Sequence, residues 1–129
     1  MCPTCSGLRI TGPPPKLCAC EPVTADLVVD LWNEVDARRN AFPCLRQPLR
    51  VGEICEVLSE ISDYPGDRRR AVVIGVEAYL DAGHLQAAKN LIALAERAGT
   101  LNAQSAFACR MLIAGHGQNV VTFHERVTA

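Results

Sequence analysis

The sequence predicts a mainly α-helical protein that carries a short cysteine-rich segment at its N-terminus. Three observations point there. From residue 24 onward apolar side chains recur at helical spacing. Glycines stand sixteen residues apart at Gly83, Gly99 and Gly115, where helices would end. Residues 1–23 show no such period, yet they hold four of the seven cysteines and five of the eight prolines. The apolar fraction is 49 % and the aromatic fraction only 5 %. The core must therefore be built from Ala, Val, Leu and Ile, which suits closely packed helices. At 129 residues the chain is large enough to bury a core of its own.

Thr24 can cap the first helix, with Asp26 in the turn where the helix dipole favours an acid. Val28, Leu31, Trp32 and Val35 then fall on one helical face, with Trp32 expected in the core. Asn40 and Pro43 end that helix, and residues 43–50 read as a connector. Val51, Ile54, Cys55, Leu58 and Ile61 mark a second helix, closed by the turn sequence Tyr64-Pro65-Gly66. Asp67 can cap a third helix running through Ala82, followed by helices over 84–98 and 100–114. Connections this short force antiparallel neighbours. The expectation is a bundle of about five helices over residues 24–115, followed by a tail or docked arm over residues 116–129, where Val120, Val121 and Phe123 could form a short strand.

The words around the three glycines repeat: Ala82-Gly83-His84-Leu85-Gln86-Ala87, Ala98-Gly99-Thr100-Leu101-Asn102-Ala103, Ala114-Gly115-His116. Two helices per unit gives a period of roughly 32 residues, close to the ~34 of tetratricopeptide repeats. The segment Ala78 to Ala88 resembles the middle of such a repeat. Only one and a half units are present and the large aromatic positions are mostly missing. The likeness is therefore one of helical-hairpin packing.

The N-terminal strings are Cys2-Pro3-Thr4-Cys5-Ser6-Gly7 and Cys18-Ala19-Cys20. Two cysteines separated by two residues in a tight turn aim both sulfurs at one point, and nearby backbone N–H groups steady the thiolates. The first string resembles the knuckle of a zinc ribbon. The second has one intervening residue where the commoner spacing has two. Cys2, Cys5, Cys18 and Cys20 are the expected ligands of one structural Zn²⁺, because four cysteines fill its tetrahedral shell and leave no open position for water or substrate. The run Pro13-Pro14-Pro15 forbids regular helix, so the two cysteine turns should be joined by a short hairpin or an irregular loop. Residues 1–23 thus form a zinc-binding cysteine module. Thiol oxidoreductases also use Cys-Pro-x-Cys, but they place it after a strand, at a helix N-terminus.

The remaining cysteines read as packed thiols at Cys55 and Cys109; Cys44, in the proline-flanked connector, could be exposed, and it is the one substitute should a zinc ligand be misassigned. His84, His116 and His124 have no ligand spacing. The formal charge is −1, unevenly spread: residues 21–67 hold ten acids against four bases, and residues 68–129 seven bases against four acids. That is not the balance of a general nucleic-acid binder. One cluster stands out, Arg68-Arg69-Arg70, at the start of the third helix. Cations there oppose the helix dipole, so a partner is one reason to keep them. A solvated turn near Asp63 and Asp67 is the other.

No nucleophile–base arrangement or phosphate loop is readable, which places an enzyme last among the functions considered. The leading expectation is a non-enzymatic, zinc-containing interaction protein. It would bind a macromolecular partner, above all another protein, as a regulator, adaptor or inhibitor of the kind phages and mobile elements encode. The alternative is a nucleic-acid-binding regulator using the zinc module and Arg68, Arg69 and Arg70. With no apolar run near the ~20 residues of a membrane span and no basic-then-apolar leader, a cytoplasmic location without membrane contact is expected.

Overall fold

The computed structural model describes residues 9–12, 15–19 and 22–128, with side chains to residue 116. It is mainly helical: five α-helices follow a two-stranded antiparallel sheet. The strands are β1 (Ile10–Thr11) and β2 (Lys16–Leu17), with Ile10 opposite Leu17. The helices are α1 (Ala25–Arg39), α2 (Pro48–Ile61), α3 (Pro65–Asp81), α4 (Leu85–Arg97) and α5 (Ala103–Thr128). A 3-10 turn, Pro43–Leu45, sits in the connector between α1 and α2.

Local chemistry accounts for most boundaries. Thr24 Oγ1 accepts the Leu27 N–H at 3.1 Å, and Arg38 and Arg39 occupy the last turn of α1, where cations suit the dipole. Two boundaries differ from expectation for one reason. Proline lacks an N–H that a first helical turn would leave unbonded anyway, and its fixed φ suits that turn. Pro48 therefore opens α2 earlier than the apolar period suggested. Pro65 likewise opens α3 instead of closing the previous turn, so Tyr64 is the cap residue and Asp67 lies inside the first turn.

Gly83 and Gly99 adopt φ of 77° and 78°. In both cases the residue after the glycine reaches back to close the helix: His84 N donates to Tyr79 O at 2.8 Å, and Thr100 N to Ala95 O at 2.9 Å. Gly115 does not repeat this. α5 runs through it to Thr128, so the third sixteen-residue word ends no helix, and residues 116–128 continue α5 in their backbone.

α3 is the shared wall of two cores. Its Ala71, Ile74 and Ala78 join Leu27, Leu31 and Val35 of α1, the apolar face of α2, and Ile10 of the hairpin. Its Val72, Val76, Tyr79 and Leu80 join α4, Leu101, and Ala106 and Cys109 of α5. Trp32 packs half-buried against the first core. Two glycines let α2 and α3 close: a Cβ on Gly52 would lie 2.8 Å from the Tyr79 ring, and one on Gly75 would lie 3.1 Å from Cys55 Cβ. Among the described residues no helix is long and apolar enough to cross a membrane.

Candidate functional site

The hairpin brings one expected metal ligand into view. Cys18 is buried and follows β2, and its N–H donates to Arg9 O at 2.7 Å. The antiparallel pairing of β1 with β2 sets Cys18, just after β2, beside Arg9, just before β1. Ile10 and Leu17 fasten the hairpin to the core formed with α1 and α2. Cys2, Cys5 and Cys20 lie outside the described residues. Among the described residues no group of three or more His, Cys, Asp or Glu side chains forms a metal cluster.

Of the other three cysteines, Cys55 and Cys109 stand where apolar patterning put them. Cys55 and Cys109 are buried and Cys44 is exposed. Burial pushes the Cys55 thiol up to about 12 and raises that of Cys109, so both stay protonated at neutral pH.

The three arginines at the start of α3 do different things. Arg68 Nη1 donates to the carbonyls of Ser62, at 2.9 Å, and Asp63, at 3.2 Å, closing the C-terminal end of α2. The Arg70 guanidinium lies 5.0 Å from the centre of the Trp32 ring and 3.8 Å from an Asp36 oxygen. Arg69 is exposed. Trp32 in turn donates its indole N–H to Ser62 Oγ at 3.3 Å. Sequence spacing put all three arginines on one short stretch, but the helix turns successive side chains about 100° apart and hands each a different neighbour.

A groove between α2 and α4, floored by α3, was not anticipated. It consists of two adjoining hollows of about 410 and 500 Å³ that share Glu56 and Leu94 as lining residues. Glu60 and Arg68 flank one hollow, and Tyr79 and Arg97 the other. Glu56 is buried, and its Oε1 accepts the Tyr79 hydroxyl at 3.0 Å. Burial raises the Glu56 carboxyl above its ordinary range; the Tyr79 bond pulls the other way, and Glu60 and Glu53 add to the rise. Burial, with Glu56 beside it, also raises the Tyr79 phenol. Leu94 is 38 % exposed in this groove. The sequence signal was Gly52, a glycine inside a helix, which marks close approach of a neighbour.

In comparisons with family models, curated proteins and solved structures, nothing matches this chain.

A second cleft, of about 550 Å³, opens where α1, the connector and α3 meet. Arg39 and Arg46 line it together with Glu77 and Asp81, over Val51, Ile74 and Ala78. Neither acid was singled out from sequence. Their signal is a pair of carboxylates one helical turn apart on α3.

Proposed function

We propose that this chain is a non-enzymatic interaction protein, acting as a regulator, adaptor or inhibitor, whose partner is another protein. The observation that carries the reading is the groove between α2 and α4. Its walls are mainly helices, with Pro15 of the hairpin at one hollow; Leu94 offers an exposed apolar anchor, and Glu60 and Arg97 supply polar contacts around it. Paired helices of this kind receive a helix or an extended segment of a partner through apolar anchors in the groove. Binding of phosphate is the less favoured reading. Arg68 and Arg70 already have partners within the chain, and Arg9 lies 3.8 Å from Asp30.

The N-terminal module would hold one structural Zn²⁺ through Cys2, Cys5, Cys18 and Cys20. The antiparallel hairpin supports this, since it sets Cys18 beside Arg9, only four residues after Cys5 in sequence. The metal would organise a segment too short to hold itself by burial.

The test is capture of a one-to-one complex that survives nuclease and moderate salt, repeated with Leu94→Glu. Loss of the complex at unchanged melting temperature supports the groove. A complex dissolved by nuclease, or untouched by Leu94→Glu, removes this reading.

A further inference from the structure

We propose that the cleft between the α1–α2 connector and α3 binds a short, mainly apolar peptide with free ends. Its cationic wall is Arg39, at the end of α1, and Arg46, just after the 3-10 turn. Its anionic wall is Glu77 and Asp81, one turn apart on α3. Between them lie Pro43, Pro48, Val51, Ile74 and Ala78.

No ion pair joins the two walls. Among the described residues, the pairs that form are Arg9 with Asp30, Arg38 and Arg50 with Glu34, Arg70 with Asp36, and Arg110 with Glu96. Arg46 donates Nε to Ala41 O at 2.9 Å, which steadies the side chain and commits neither of its two terminal nitrogens. His116 lines the hollow on the far side of Glu77 and Asp81 and pairs with neither. The cleft thus carries both signs of charge around an apolar floor, on four solvent-exposed side chains that no ion pair joins.

The ligand that completes such a site carries a carboxylate at one end, an ammonium at the other and apolar groups between. Arginine matches a carboxylate through paired N–H donors, and the carboxylates take the ammonium. A single α-amino acid carries both charges on one carbon and cannot place an apolar stem between the walls. An apolar stem between the two charged ends would lie over Val51, Ile74 and Ala78. The cleft shares no lining residue with the groove between α2 and α4, so the proposal stands apart from the protein-partner reading.

The experiment is an amide-resolved NMR titration of the full chain with leucyl-alanyl-leucine, its N-acetylated form and its C-terminal amide. The expected result is saturable shifts at residues 39–51 and 74–82 for the free peptide, and affinity at least about tenfold weaker for each capped form. Arg39→Gln with Arg46→Gln should weaken the free peptide while leaving the C-terminal amide unaffected. Glu77→Gln with Asp81→Asn should do the same with respect to the N-acetylated form. These comparisons tie each wall to one end of the ligand. The capped peptides test the wild-type chain directly, so a misfolded variant does not remove the test. Shifts elsewhere, no saturation, or equal affinity for free and capped peptides overturns the proposal.

Discussion

Tyr79 lies so close to Gly52 that a Cβ on that glycine would stand 2.8 Å from ring atoms Cδ1 and Cε1. The ring cannot simply withdraw, because its hydroxyl is bonded to Glu56 on the same helix as Gly52. Replacing a helical glycine with alanine ordinarily stabilises by about 0.5–1 kcal/mol. Here overpacking opposes that gain by about 1–3 kcal/mol. Gly52→Ala should therefore be net destabilising in urea denaturation. A stabilised variant would mean that α2 and α3 can separate without loss.

Glu56 makes stability depend on pH in a definite direction. Its folded pKa lies above the ordinary 4.5 because the carboxyl is buried. As pH rises past the ordinary value, the unfolded chain loses this proton while the folded chain still holds it, so stability falls with pH through that window. The stabilising contribution is full at pH below about 4.5 and is lost once pH exceeds the raised folded value. Glu56→Gln keeps an oxygen for the Tyr79 hydroxyl and removes the charge. It should be more stable than the wild type at pH 7–8, with the difference closing near pH 4. Denaturation midpoints across that range check it, and parallel curves would show that Glu56 does not titrate in the window.

How much of this was readable beforehand depends on what each residue does locally. Thr24, the apolar faces of α1 and α2, and the glycines at 83 and 99 act through neighbours within one or two turns, so spacing alone places them. Pro48 and Pro65 were read as breakers, although the same missing N–H makes them good first-turn residues. Gly115 has the sequence of a helix end without its conformation, because no left-handed turn follows it. The Glu56–Tyr79 bond and the cleft lined by Arg39 and Asp81 join residues 23 or more apart. No local rule pairs those residues; they meet only once α3 packs against α2.

The zinc proposal predicts about one metal per chain in protein purified without chelator. Cys18→Ser should lower the metal content, because the remaining thiolates no longer close a tetrahedral shell. Helical circular dichroism should fall little, since α1 to α5 bury their own apolar residues. Elemental analysis below a third of an equivalent for the wild type counts against the site.

Gly99 and Gly115 should respond oppositely to the same change. At Gly99 φ is 78°, a region that side chains with a Cβ resist, so Gly99→Ala should cost about 1 kcal/mol and Gly99→Val more. Gly115 is inside α5, and a Cβ there would meet nothing within 4 Å. Gly115→Ala should thus stabilise by up to about 1 kcal/mol. Thermal melts of the two alanine variants check both, and a loss at Gly115 would mean the helix ends there after all.

The arginines at the start of α3 give the prediction that separates structure from function. Arg68 closes the end of α2 with two hydrogen bonds, so Arg68→Gln should cost about 1 kcal/mol. Arg70 contributes a partly exposed contact over Trp32, and Arg70→Gln should cost about 0.5–1 kcal/mol. Removing a cation from a helix N-terminus returns some of each loss. Arg69 is exposed, and Arg69→Gln should change stability by no more than about 0.5 kcal/mol in either direction. The order of urea midpoints should therefore run with Arg69→Gln level with wild type and the other two below it. Arg69→Gln is then the variant that reads binding without disturbing the fold. Under the protein-partner proposal its salt dependence stays shallow and close to wild type. If nucleic-acid phosphate is the ligand, the slope of log affinity against log salt shrinks by about one unit. A shrunken slope in this variant would move the function to the nucleic-acid reading and leave the groove between α2 and α4 without a role in it.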